Sequence, residues 1–247
     1  MEEELAWFDK YLFASHEPKN EAFDPASPLA MAIDKAAVAR DGARYGEKLN
    51  GALVPEVVEL EGIKAGRFEV TRAQFAAFDP SYAVAEGTEN HPANGVSYDT
   101  AKKYCEWLGE KTGRKFRLPT EDEMTKLIAA AKSNLANENN LDRWVGYPPS
   151  PDERRMIAEK IEEIEKHRLL IEEVGSFPPV GGPDKTDTGS SRGAGVKVYD
   201  LGGNVAEWAS AKEGGKAMGL SAVSPRDPAT PYAPPRAEYI GFRVVEE

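Results

Sequence analysis

Cysteine is almost absent from this chain: Cys105 stands alone in 247 residues. A lone thiol excludes any internal disulfide, and redox chemistry says nothing about the compartment. Histidine is nearly as scarce, and His16, His91 and His167 lie far apart in unrelated contexts, which argues against a histidine-held metal. Long apolar runs are missing too. None approaches the roughly 18 residues of a bilayer-spanning helix, so no membrane span is expected. The acidic N-terminus lacks an apolar signal segment, and the localisation stays open. Positive charge is in deficit, with 31 Lys and Arg against 42 Asp and Glu and a net charge of −11. Such a surface repels phosphate, which argues against nucleic acid and anionic lipid as partners. Zinc motifs, phosphate-binding loops, dinucleotide fingerprints and internal repeats are absent as well.

What is present begins with a hydrophobic fraction of 40%, enough for one domain with a sizeable core. The chain is organised around Val198–Trp208, V-Y-D-L-G-G-N-V-A-E-W. Gly202, Gly203 and Asn204 can take positive φ or pack backbone closely, so a sharp reversal is expected there. The same turn gathers oxygens from Asp200, Asn204, Glu207 and freed carbonyls. A hard cation such as Ca²⁺ takes about six to eight oxygens at roughly 2.3–2.6 Å. A tight turn whose carboxylates face water fits the same spacing.

Local signals order the rest. Residues 2–13 pattern as an amphipathic helix, 14–30 as linker, and Pro28 to about Arg44 as a second helix. Val54–Leu60 alternates as a strand, which Pro55 places at an edge. Thr71–Gln74 and Thr120–Glu123 are capping boxes, the second opening a helix to about Ala131. After Ser97, the stripe Ala101, Tyr104, Cys105 and Leu108 predicts a helix in which Cys105 is a buried small hydrophobe. Residues 134–149 form a polar loop anchored by Trp144 and Tyr147. Ser150, Pro151 and Glu153 then start a long helix, expected through about Val174 with Ile157, Ile161, Ile164 and Ile171 on one face. That face packs on the domain or docks a partner. Residues 214–240 should be irregular but ordered, and Tyr239–Val245 a final core strand. Gly189–Gly193 matches G-x-S-x-G, but a strand follows Ser191 where a nucleophile elbow needs a helix.

Four stretches together carry a resemblance: Glu69–Phe75, His91–Trp107 with Arg117–Glu123, D-L-G-G-N-V-A-E-W at 200–208, and Gly241–Val245. In order and content they resemble the formylglycine-generating enzyme, or sulfatase-modifying factor, family from about residue 53 to the end. The resemblance implies an α+β, C-type-lectin-like fold: a small antiparallel sheet, short helices and much ordered loop. It divides the chain into N-terminal helices and linker (1–50) and the family domain (51–247), with a helical insertion at about 150–174. It implies a structural Ca²⁺ held by the Asp200 and Glu207 side chains and the Gly203 and Val205 carbonyls. A second calcium site should fall near 134–150, where no ligands can be assigned. Arg117 and Glu121 are implied as a buried ion pair or backbone clamp.

The family's oxidases hold copper on two cysteines just before the G-F-R strand. Residues 211–240 contain none, and Met218 or Ser221 cannot replace a thiolate pair on a soft cuprous ion. No copper is expected, and the oxidase activity with it is excluded. Residues 2–13 also resemble the last helix of prolyl-oligopeptidase-family catalytic domains. The function implied is a non-catalytic accessory module with a protein or peptide ligand, or an upstream peptidase domain, as partner. Two alternatives remain: an enzyme of altered chemistry using Arg226, Asp227, Arg236 and Glu238, and a lectin-like ligand-recognition domain carried by 211–240.

Overall fold

Pro55 has no N–H to give to a ladder, and the strand expected over Val54–Leu60 breaks there into two. In the computed structural model, which describes residues 45–133, 137–180, 198–226 and 235–247 together with Leu29 and Ala32, β1 (Glu47–Leu49) and β2 (Ala52–Val54) form a hairpin. β3 (Val57–Leu60) turns away to pair with β4 (Ile63–Gly66). The helix expected over 2–13, the linker, most of the second helix and Ser191 lie outside the described residues. No described helix is long and apolar enough to cross a membrane.

The capping boxes work as their sequence predicts. Thr71 starts α1 (Arg72–Phe78) with the reciprocal Gln74 bond, and Ser97 caps α2 (Tyr98–Thr112). After β5 (Phe116–Arg117), Thr120 and Glu123 cap α3 (Glu121–Ala130). A short helix, α4 (Leu141–Val145), forms inside the polar loop, capped by Asn140. Ser150 and Glu153 then box the start of α5 (Pro151–Glu165). That helix ends about nine residues earlier than its apolar spacing suggests. Ile157 and Ile161 pack inward with Leu170 and Tyr239, whereas Ile164 is exposed and Ile171 is buried in non-helical chain. Tertiary hydrogen bonds override the helical pattern: the Leu170 and Glu172 N–H groups donate to the Tyr239 hydroxyl (3.1 Å) and the Asn204 carbonyl oxygen Oδ1 (3.0 Å).

The chain closes through β6 (Ala206–Ala211), β7 (Gly214–Met218), β8 (Ile240–Gly241) and β9 (Val245–Glu246). The single terminal strand expected over 239–245 is divided. β8 runs parallel to β6 in the sheet β7-β6-β8, and β9 runs antiparallel to β4 and β5 in the sheet β3-β4-β9-β5. Phe242, Arg243 and Val244 make the crossing and are fully buried. One core cluster packs Phe75, Tyr104, Cys105 and Leu108 against Phe242 and Val244, and burial pushes the Cys105 thiol up to about 12. Tyr45 also belongs to the packed body, donating its hydroxyl to Glu173 at 2.8 Å.

Candidate functional site

Asp200 and Asn204 bracket the central turn, and both hold left-handed backbone, φ 60° and 65°. Asp and Asn tolerate that region better than other non-glycine residues. Gly203 serves a different need: a Cβ there would overlap the Asn139 carbonyl. With no side chain in the way, the Asn204 N–H reaches Asn139 O at 2.7 Å.

Asn204 saturates its amide. Its Nδ2 donates to Glu69 Oε2 (3.0 Å) and Glu172 O (3.2 Å), and its Oδ1 accepts from Asn139 Nδ2 (2.9 Å) and Glu172 N (3.0 Å). The turn thereby grips three separated segments: 69, 139 and 170–175. The Gly175 N–H adds a bond to Asp200 Oδ2 at 2.7 Å.

Four carboxylates converge around this turn, Glu69, Glu138, Asp200 and Glu207, all essentially without exposure. One guanidinium, Arg243, is buried among them. Arg243 donates Nε to Glu207 Oε2 (2.7 Å) and Nη2 to Oε1 (2.5 Å), and its remaining N–H groups reach Gly66 O and Tyr199 O, each at 3.0 Å. Glu69 accepts from Asn204 Nδ2 and, at 3.3 Å, from the Val205 N–H. Burial, reinforced by Asp200 and Glu207, pushes the Glu69 carboxyl well above the usual range. Burial likewise lifts Asp200 to about 7, against the Gly175 N–H and Arg243. Asp200 Oδ1 and both Glu138 oxygens have no partner among the described residues. Burial, then the nearby Asp200, drives the Glu138 carboxyl well up.

The structure thus brings Asp200, Gly203, Val205 and Glu207 into one buried turn. Their capacity for Ca²⁺ is uneven. Asp200 Oδ1 has no partner among the described residues, whereas each Glu207 oxygen accepts one hydrogen bond from Arg243 and has lone-pair capacity left. Among the described residues no group of three or more His, Cys, Asp or Glu side chains is arranged to hold a metal ion. Sequence reasoning passed over Glu69, Glu138 and Arg243. A signal for Arg243 was there: an arginine inside an otherwise apolar terminal run needs a buried counter-charge.

The charged residues before the last strand are engaged elsewhere. Arg226 Nε donates to the buried Asp142 at 2.8 Å, Arg236 pairs with Glu165, which also accepts from the Tyr239 hydroxyl at 2.6 Å, and Glu238 is exposed. Asp227 lies outside the described residues. Ser221, in the segment where the resemblance places the oxidases' thiols, is buried with its hydroxyl 2.9 Å from that of Ser224. The clamp expected of Arg117 and Glu121 has a different acid. Arg117 holds Glu123 through two bonds of 2.7 and 2.8 Å, while Glu121, half-buried on the first turn of α3, pairs with Lys216.

Residues 34–247 match the model of the sulfatase-modifying factor enzyme 1-like domain family. No curated protein matches. Similar solved structures include PvdO from Pseudomonas aeruginosa, at 20% identity and TM-score 0.44, covering 75% of this chain and 80% of that one. CarF is 18% identical with TM-score 0.40, covering 81% of this chain and 95% of that one. Treponema denticola variable protein 1 has the same identity and TM-score, with 81% and 90% covered.

Proposed function

Because this chain belongs to the sulfatase-modifying factor enzyme 1-like domain family, with its mixed fold of small sheets and short helices, we propose that it is a non-catalytic member that binds a protein or peptide partner. The observation that carries this reading is the lack of any cysteine in residues 211–240. A cuprous centre needs thiolates, and the residues that stand there offer hydroxyl, thioether and charged groups. Support comes also from the charged side chains of that segment. Arg226 and Arg236 tie it to α4 and α5, so they serve the fold. A structural Ca²⁺ on the central turn belongs to the same reading, as a rigidifying ion and not as an activator of water.

The partner side is supported by where apolar surface stays exposed. Of the six large hydrophobic side chains exposed among the described residues, Trp144, Tyr147, Met156 and Ile164 fall within 144–164. Contiguous exposed apolar surface is a mark of a binding face, and these four side chains are neighbours in sequence, on α4, α5 and the loop between them. The partner we propose is a peptidase domain encoded upstream. The test is to read the frame preceding Met1, express any peptidase domain found there separately, and titrate it against the full chain. Binding that is lost on Met156→Glu with Ile164→Glu, at unchanged melting temperature, supports the reading. An upstream frame without a peptidase, or binding indifferent to both substitutions, overturns the peptidase assignment.

A further inference from the structure

Two Asn-Gly dipeptides occur in the chain, Asn50-Gly51 and Asn94-Gly95. Asparagine before glycine is chemically labile, because glycine has no Cβ to hinder attack of its backbone nitrogen on the preceding side-chain amide. The fold treats the two differently. Asn94 is held firmly: its Oδ1 accepts from Arg72 Nε (3.3 Å) and Nη2 (3.0 Å), and its Nδ2 donates to Glu238 O (2.8 Å). The Gly95 nitrogen that would attack is itself bonded to Ile240 O at 3.1 Å. Asn50 and Gly51 form the exposed tip of the β1–β2 hairpin, with φ 47° and 82° and Leu49 opposite Ala52, a two-residue turn of the kind that favours this dipeptide. A Cβ added to Gly51 would meet nothing within 4 Å. Among the described residues the Asn50 amide has a single hydrogen bond, from Nδ2 to Lys111 O at 2.8 Å.

We propose that Asn50 is the spontaneous deamidation site of this chain, and that its conversion frees the hairpin tip from the end of α2. Gly51 N bonds to Asn50 Cγ, the Cγ–Nδ2 bond breaks, and ammonia departs with the Gly51 N–H proton. Water then opens the succinimide at either carbonyl, leaving aspartate or isoaspartate. Both products lose the donor that caps Lys111 O, one of the carbonyls left over in the last turn of α2. Both also place an anion there, at the negative end of the helix dipole. Isoaspartate in addition routes the main chain through an extra methylene, which a two-residue turn of fixed register does not accommodate. Ala52 and Val54, buried just past the turn in the core that contains Leu108 of α2, then lose their anchor. The inference is independent of the binding role proposed above.

The test is to hold the full chain in mildly alkaline buffer, both folded and in urea, and to follow the two dipeptides by peptide mass spectrometry with isoaspartyl methyltransferase labelling. Rates in urea give the intrinsic reactivity of each dipeptide. Relative to those, Asn50 in the folded protein should convert at least about tenfold faster than Asn94, whose extra hydrogen bonds must open first. Asn94 keeping pace with Asn50 in the fold, or Asn50 staying intact over many half-lives of the urea reaction, would overturn the site. The structural consequence is read from thermal melts of two variants. Asn50→Gly keeps the turn and loses the amide alone, whereas Asn50→Asp also brings the charge, so Asn50→Asp should melt lower. Equal melts, or a higher one for Asn50→Asp, would overturn the release of the hairpin tip.

Discussion

Two side chains show how differently a buried or half-buried polar group can act. Glu123 closes the capping box of α3 and takes both arms of Arg117. The Arg117 guanidinium, followed by the Thr120 N–H, brings the Glu123 carboxyl down to about 2. Its folded-state pKa lies below the unfolded value of about 4.3, so the unfolded chain binds the extra proton as pH falls. The stabilisation from this group is present above the unfolded pKa and is lost as pH drops toward 2. Glu123→Gln keeps a capping acceptor but loses the ion pair, at a cost of about 0.5–1 kcal/mol near neutral pH. Urea midpoints of the two proteins should differ at pH 7 and converge toward pH 2. Tyr104 is the opposite case. Its ring stacks on Phe75 and meets Phe242 edge-on, yet its hydroxyl is buried with no partner among the described residues. Tyr104→Phe removes an unsatisfied group and should stabilise the protein by about 1 kcal/mol in a denaturant titration.

At the scale of elements, what could be read from sequence was what local chemistry decides. The three capping boxes and the apolar stripe of α2 form from residues within one or two turns of each other, so their spacing carries the signal. The end of α5 does not. Leu170 and Glu172 give their N–H groups to Tyr239 and Asn204, partners distant in sequence, and no helical periodicity records that competition. The division of the last strand is hidden for the same reason: which sheet each half joins depends on β4, β5 and β6. At the start of α5, Ser150 receives the Glu153 N–H and returns the box. Ser150→Ala should cost about 1 kcal/mol, seen as faster amide exchange in residues 151–155 ahead of the rest of the helix.

For the molecule as a whole, Arg243 is the joint. It sits where the chain passes from the β7-β6-β8 sheet to the β3-β4-β9-β5 sheet, and it reaches Glu207 on β6, Gly66 on β4 and Tyr199 before the central turn. Losing it strands the Glu207 charge in the interior. Arg243→Met should therefore cost about 3–5 kcal/mol, measured as the fall in chemical-denaturation midpoint with the m-value unchanged. The central turn was legible as the centre of the domain because its residues are contiguous. Its electrostatics were not, since Glu69, Glu138 and Arg243 come from three distant parts of the chain.

The resemblance implies that the family's oxidases hold copper on two cysteines just before the last strand, but here residues 211–240 have no thiol to offer a cuprous ion. The most direct test is to titrate Cu(I) into the full chain against a chromogenic chelator, then add oxygen and a cysteine-containing peptide and follow the peptide by mass spectrometry. The account predicts that the chelator keeps all the copper and that the peptide cysteine is never converted to an aldehyde. Stoichiometric copper withheld from the chelator, with aldehyde appearing in the peptide, would contradict it.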